Sequence, residues 1–237
     1  MDGSIDFFLT PAAPRLDEPS NHPSVIARFL GHERWLVHTL LTDVERLVEV
    51  ACGTGRYLDL ADSHGVAYHG IDISPTAVMR GRERLASGSF RTPGHRFDLG
   101  AVESLGAHRR LTLGGGPLER SLVLLPFSVL SAVADLDAAA RSLAHQGRPF
   151  LATMYGTSDE MTQGRVEYYR RCGYRVIAVE KDAVGVCVST ADGLTTTAYE
   201  PEVLEALWAR HKMRVKTVTL HDGFVCTGTC RVPVAEP

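Results

Sequence analysis

Apolar and polar residues change rhythm twice along this chain, and the changes divide it into three stretches. Residues 1 to 23 carry Pro11, Pro14, Pro19 and Pro23 among polar neighbours. They read as an irregular arm that Ile5, Phe7 and Phe8 can pin to a surface, which makes the arm a lid candidate. Asn21, or Ser24 just after Pro23, can cap a helix to about Leu41, with Val25, Phe29, Leu36 and Leu40 at helical spacing. From Arg46 onward short apolar runs alternate with longer amphipathic ones. Arg46 to Ala51, Ala67 to Ile73, His95 to Leu99, Leu118 to Leu125 and Pro149 to Tyr155 read as buried strands. Gly55 to His64, Pro75 to Ala86 and Asp135 to His145 read as the helices between them. That alternation is the signature of a parallel α/β sheet.

Past Tyr155 the period changes again. Thr162 to Cys172 is helical in pattern. Arg175 to Glu180, Gly185 to Thr190 and Thr195 to Tyr199 alternate as a β-ribbon with turns at Lys181-Asp182 and Asp192-Gly193. A helix from Glu202 to His211 and two strands, Arg214 to Leu220 and Phe224 to Val232, close the chain around a turn at His221-Asp222-Gly223. The ribbon is expected to be an insertion, because fewer than about 50 residues seldom make an independent core. The expected organisation is an N-terminal arm and cap helix over 1–45, a ligand-binding half over 46–155, a covering insertion over 156–200, and a C-terminal helix and strand hairpin over 201–237.

Composition narrows the function classes. The 237 residues are 44% hydrophobic, enough for a sizeable core in one catalytic-size domain. A formal charge of -3 gives no global attraction for a polyanion and disfavours nucleic acid as a partner. The five cysteines, Cys52, Cys172, Cys187, Cys226 and Cys230, are odd in number and contain no C-x-x-C pair. They read as reduced thiols of a cytoplasmic protein. Cys226 and Cys230 lie about 13 Å apart along a strand, too far to share a metal. No basic n-region with a long apolar core opens the chain, and no segment reaches the roughly 18 apolar residues of a membrane span, so no membrane partner is expected.

The chemistry concentrates after the first strand. Leu47 to Val50 is followed by Ala51-Cys52-Gly53-Thr54-Gly55-Arg56-Tyr57. Gly53 and Gly55 permit backbone conformations and close approaches that a Cβ would block, and the following helix presents unpaired N–H groups to a polar ligand. Glycines at this spacing also occur for packing alone. Asp72, 23 positions after Glu49, ends the next strand, where a carboxylate can accept both hydroxyls of a ribose. A dinucleotide fingerprint would place a third glycine three residues after Gly55, but Leu58 is there.

With these residues in view, the chain resembles the class I S-adenosylmethionine-dependent methyltransferases. Val48 to Tyr57 is similar to the family's first motif and Tyr68 to Ser74 to its second. Phe97-Asp98-Leu99 is similar to the third, and Leu122 to Leu130 to the fourth. The resemblance covers roughly Val48 to Tyr155, about half the chain. It departs from the fourth motif at Ser121, where an Asp is usual. It implies a Rossmann-like, doubly wound α/β fold whose mostly parallel seven-stranded sheet has an antiparallel last strand and a β-rich insertion after the fifth strand.

For the site, the resemblance implies S-adenosylmethionine as cofactor, with S-adenosylhomocysteine as product. Glu49 would steady the loop, the Gly53-Thr54-Gly55 backbone would meet the methionine end, and Ala51 and Cys52 would belong to the same cofactor site. Asp72 would hold the ribose and Ile73 would lie by the adenine. Asp98 and Leu99 would read the adenine edge, Pro126-Phe127-Ser128 would lie beside the sulfonium, and Leu125 would belong to the cofactor site. Methyl transfer from a sulfonium needs alignment and exclusion of water more than a dedicated catalytic residue.

Tyr155, at the end of the fifth strand, and His221, in a late turn, are candidate catalytic groups; each also reads as an ordinary edge or surface residue. Phe8, Ser128, Tyr155, Tyr168 and Tyr169 are candidates for holding an acceptor, against plain packing. His32-Glu33 opens like a metalloprotease helix, but Leu36 stands where the second histidine belongs, so no metal is expected. The expected activity is methylation of a nitrogen or oxygen atom of a small molecule in a biosynthetic pathway, and a homodimer is compatible with the sequence. Two other readings stand beside it. The arginines from Arg80 to Arg96 suggest a macromolecular acceptor such as RNA or a protein, and a cofactor-binding scaffold could carry other chemistry.

Overall fold

A computed structural model describes residues 3–105, 120–220 and 223–228. The arm opens with a short helix, α1 (Gly3–Phe8), and two single 3-10 turns, Ala13–Asp17 and Pro19–Asn21. It is more regular than its prolines suggest, because Pro14 and Pro19 sit at the first turns of those 3-10 segments, where no N–H is needed. The cap helix α2 (Ser24–Leu40) buries Val25, Ile26, Phe29 and Val37, and also Glu33.

Strand β1 (Arg46–Val50) is followed by α3 (Leu58–Ser63), β2 (Ala67–Asp72), α4 (Pro75–Ser87) and β3 (Arg96–Leu99). The α3 helix begins three residues later than its pattern suggests. Gly53 (φ 55°) and Gly55 (φ 94°) lie in left-handed backbone that a helix cannot use. Ser74 caps α4 by accepting from Ala77 N–H at 3.3 Å, with Pro75 in the first turn. Next come β4 (Ser121–Leu125), α5 (Leu136–Gln146) and β5 (Phe150–Tyr155). Residues 106–119, including Leu118, lie outside the described residues. Beyond β5, α6 (Asp159–Arg171) starts earlier than the apolar pattern indicated, because Ser158 caps it through Met161 N–H at 3.2 Å. It leads into β6 (Val176–Lys181), β7 (Gly185–Thr190) and β8 (Thr195–Tyr199). The chain ends through α7 (Pro201–Arg210), β9 (Val215–Leu220) and β10 (Gly223–Gly228). The sequence pattern carried the last strand on to Val232, but residues 229–237 lie outside the described set.

The sheet order is β3-β2-β1-β4-β5-β10-β9. Five of these seven strands, from β3 across to β5, pair in parallel with one another. The last two strands join through antiparallel pairs, β5 with β10 and β10 with β9, with Gly223 standing opposite Leu220 in the second pair. The order reverses between β1 and β4, and the crevice at their carboxyl ends is where an open α/β sheet takes ligands. Buried clusters cover both faces of the sheet, one around Val48, Ile71 and Trp208 and the other around Leu47, Tyr68 and Phe97.

The β6-β7-β8 ribbon is a separate antiparallel sheet. Its core is shared: Phe7 of α1, Val25, Ile26 and Phe29 of α2, Met161, Tyr168 and Tyr169 of α6, and Val188 and Ala198 of the ribbon form one buried cluster. The arm is strapped to this insertion by Tyr174 O–H to Ala12 O (2.7 Å) and Tyr168 O–H to Leu16 O (2.5 Å). No helix among the described residues is long and apolar enough to cross a membrane.

Where α2 meets α6, a Cβ on Gly164 would overlap Val25 Cγ1. Gly164→Ala therefore forces the helices apart, and urea unfolding should show a loss of about 1–3 kcal/mol. Val25→Ala in the same chain should recover part of that loss, since the clash is between those two side chains. Additive effects of the two substitutions would show that the contact does not limit the packing.

Candidate functional site

At the carboxyl ends of β1, β2 and β4 lies a cavity of about 570 Å³, walled on its outer side by arm residues from Ile5 to Asp17. Its β1–β2 side is formed by Ala51, Gly53, Thr54, Asp72 and Ile73, with Gly100 to Glu103 beyond them. Toward the insertion it is lined by Phe8, Phe127, Ser128, Tyr155, Tyr168, Tyr169, Leu194 and Thr196.

The loop after β1 owes its shape to two acidic side chains. Asp72 accepts from Gly53 N–H through Oδ2 and from Ser74 N–H through Oδ1, each at 2.8 Å. Asp72 lines the cavity, and each oxygen, with one donor, has a lone pair to spare. Burial raises the Asp72 pKa, and the backbone donors oppose the rise. Glu49, wholly buried, accepts from Tyr57 N–H (3.1 Å) and Tyr68 O–H (2.6 Å) through one oxygen, while the other has no partner. Desolvation pushes its pKa up to about 8, so it is protonated through neutral pH. Gly53 is open toward the cavity, and an added Cβ would meet only Asp17 Oδ2, at 3.2 Å.

Several expected site residues lie elsewhere. Glu49, Cys52 and Leu125 are buried in the core behind the cavity. Gly55 faces the aromatic layer, where a Cβ would stand 2.8 Å from Phe97 Cζ, so its small size serves packing between loop and sheet. Asp98 turns away to His69 Nε2 at 2.9 Å, with Arg82 and Arg96 at 3.7 and 3.6 Å. Leu99 is 54% exposed on the outer surface beside Met79. The strand pairing explains the shift. Gly100 N–H still bonds Asp72 O at 2.9 Å, so the chain crosses the sheet end only from Gly100, and Gly100 to Glu103 take the positions expected of Asp98 and Leu99. His221 and Cys230 lie outside the described residues, as does the side chain of Cys226.

Three contributors were not anticipated. Glu33, 1% exposed, accepts from Tyr57 O–H (2.6 Å), Phe127 N–H (2.6 Å) and the Thr153 hydroxyl. It thereby holds the Phe127-Ser128 turn, where both residues have positive φ, 51° and 55°. Its sequence signal was a charge four residues after Phe29 on the apolar stripe of α2. Arg56 pairs with Asp17 of the arm at 2.5 Å and lies 4.4 Å from the Phe127 ring centroid. Asp17 itself gave no local signal. Among the described residues no cluster of His, Cys, Asp or Glu could hold a metal ion.

No protein-family model and no curated protein matches the chain. Solved structures do. Magnesium protoporphyrin IX methyltransferase of Synechocystis PCC 6803, with bound S-adenosylhomocysteine, has a TM-score of 0.59 at 12% identity, over 94% of this chain and 96% of that one. A S-adenosylmethionine-dependent methyltransferase of Methanosarcina mazei has a TM-score of 0.54 at 16% identity, over 81% and 95%. The 1,6-didemethyltoxoflavin-N1-methyltransferase of Burkholderia thailandensis has 0.53 at 12%, over 85% and 77%. The chain has the class I methyltransferase fold. Within that methyltransferase fold the cavity occupies the crevice where the strand order reverses, and the arm and insertion wall it on the far side.

Removing the Glu33 carboxylate strands three buried donors. Glu33→Ala is expected to lose about 3 kcal/mol in urea unfolding. Glu33→Gln should lose much less, since its oxygen can serve Phe127 and Thr153 while its amide donates to Tyr57. Equal losses in the two variants would rule out this network.

Glu49 sets a pH dependence. Its folded pKa, about 8, exceeds the roughly 4.3 of an unfolded chain, so above about 4.3 the native state holds the extra proton. Stability then falls as pH rises from about 4.3 to about 8 and levels off beyond. Glu49→Gln matches the protonated form. Its melting temperature should be close to wild type at pH 5 and clearly higher at pH 8, and a constant offset would refute the protonated assignment.

Proposed function

We propose that the protein transfers a methyl group from S-adenosylmethionine to a nitrogen or oxygen atom of a small molecule in a biosynthetic pathway. The observation that carries this reading is Asp72, a nearly buried carboxylate at the end of β2 that opens on the cavity beside the Gly53 cradle. The residues present fit the cofactor. Asp72 has lone pairs for two ribose hydroxyls, and Gly53, without a Cβ, leaves the loop open to the methionine end. Ile73, Ala101 and Val102 provide apolar flanks for an adenine. Three neighbours support the small-molecule part by what their names say they methylate: magnesium protoporphyrin IX, a didemethyltoxoflavin and a glycopeptide.

When bound, the cofactor supplies an electrophilic methyl group on a sulfonium. The chain contributes position and dryness. Asp72 would hold the ribose, the Phe127-Ser128 turn with its positive φ angles lines the cavity beside it, and the arm with Phe8 and Leu16 would exclude water. Tyr155 suits a hydrogen-bond donor better than a base. Burial holds its pKa well above the ordinary tyrosine value, so its hydroxyl remains a donor. An enclosing arm favours a small acceptor over a macromolecule.

Calorimetry should show S-adenosylhomocysteine binding to the purified protein. Asp72→Ala should weaken that binding about 10- to 150-fold by removing charge-assisted hydrogen bonds, and unchanged affinity would remove Asp72 from the site. Absence of binding to the wild-type protein would reject the methyltransferase reading.

A further inference from the structure

The insertion side of the cavity has more hydrogen-bond donors than the protein uses. Tyr168 O–H is committed to Leu16 O. Tyr169 Oη and Thr196 Oγ1 are 2.7 Å apart and share one hydrogen bond, which consumes one of their two hydroxyl hydrogens. Thr196 Oγ1 also accepts from Arg165 NH2 at 2.7 Å, so neither hydrogen is needed there. The second hydroxyl hydrogen of the pair has no acceptor among the described residues. Tyr155, 3% exposed and lining the same space, makes no hydrogen bond through its hydroxyl among the described residues. Two O–H donors are thus unspent on one wall.

A cation stands behind that wall. Arg165 is fully buried, donates to Val186 O (3.0 Å) and Thr196 O (2.8 Å), and leaves Nε without a partner. No carboxylate pairs with it among the described residues, and its Cζ lies 5.4 Å from the Tyr155 ring centroid. A buried guanidinium without a counter-ion is costly unless a bound anion complements it. The carboxylates that line the cavity, Asp17, Asp72 and Glu103, belong to its arm and β2–β3 sides. Glu33, 1% exposed, is engaged by three donors from the sheet side and does not line the cavity.

Aromatic walls can also attract a cation. Here the Phe127 ring already has the Arg56 guanidinium at 4.4 Å and Tyr155 has Arg165 near it, so an ammonium would meet like charge. We infer that the methyl acceptor is a largely apolar molecule bearing an anionic oxygen group, a carboxylate or phenolate, held by Tyr155 O–H and the free hydroxyl of the Tyr169–Thr196 pair. The inference rests on the methyltransferase reading for the occupant of the β1–β2 side.

Three probes of one shape and different charge test it: 2-naphthoate, 2-naphthylmethanol and 2-naphthylmethylammonium, titrated calorimetrically with and without saturating S-adenosylhomocysteine. Naphthoate should bind about ten- to a hundredfold more tightly than the alcohol, the range of charge-assisted hydrogen bonds, and the ammonium most weakly. Tyr155→Phe and Tyr169→Phe should each reduce the naphthoate preference at least several-fold while S-adenosylhomocysteine affinity stays within about twofold of wild type. Equal binding of the three probes, preference for the ammonium, or failure of all three to bind overturns the inference. So does a naphthoate preference that survives both substitutions. If S-adenosylhomocysteine itself fails to bind, the methyltransferase reading falls, and the titrations without it still decide the charge preference of the wall.

Discussion

Three hydrogen bonds converge on the carboxylate of Glu33, and they come from segments far apart in sequence: the loop after β1, the turn after β4, and β5. A polar group shut off from water is tolerated only where hydrogen-bond partners replace its hydration. The helix α2, the β1 loop and the β4 turn therefore have to meet at one point. That requirement accounts for much of the cavity's form. The Phe127-Ser128 turn, costly in itself because both residues have positive φ, is held at one end by Glu33 and at the other by Tyr155 N–H donating to Ser128 Oγ at 3.2 Å. Tyr57, which donates its hydroxyl to Glu33, also donates its N–H to Glu49, so the same network passes into the core of the sheet.

The outer half of the cavity is built by a second constraint, the small size of the insertion. Three short strands and one helix do not enclose enough apolar surface to stand alone. They complete their core with Phe7, Val25, Ile26 and Phe29 from the N-terminal arm and α2. The arm is consequently a structural partner of the insertion as well as a wall of the cavity. Its 3-10 turns, fastened through Leu16 O and Ala12 O to two tyrosines, bring Asp17 to Arg56 and Phe8 to the aromatic side. The aromatic side of the cavity thus exists only where the arm and the insertion, remote in sequence, pack together.

Sheet elements were legible along the chain because their signals are local. Leu122 to Leu125 is a continuous apolar run, Leu47 to Val50 is apolar except for the buried Glu49, and β7 and β8 alternate over the residues their pattern indicated. Helix starts were less legible where a cap outweighed the apolar period, as at Ser158, or where glycines in left-handed backbone delayed the helix, as before Leu58. At the site, Gly53 and Asp72 stood out because a special backbone angle and a carboxylate at a strand end are visible in single residues. Gly55 showed the same spacing signal, yet it is small because of Phe97, a ring that arrives from β3.

The order of strands and helices, the glycine loop and the strand-end aspartate were determined by the sequence alone, because hydrophobic period, capping and backbone permissiveness act over a few residues. Only the tertiary structure decided which side chains share the cavity. Asp98 faces His69 and Glu33 faces Phe127 through contacts across 29 and 94 residues. Arg165 reaches the wall behind Tyr155 only because α6 packs between α2 and the ribbon. Such pairings follow from how separate elements bury their polar groups against one another, and no pattern within a single element encodes them.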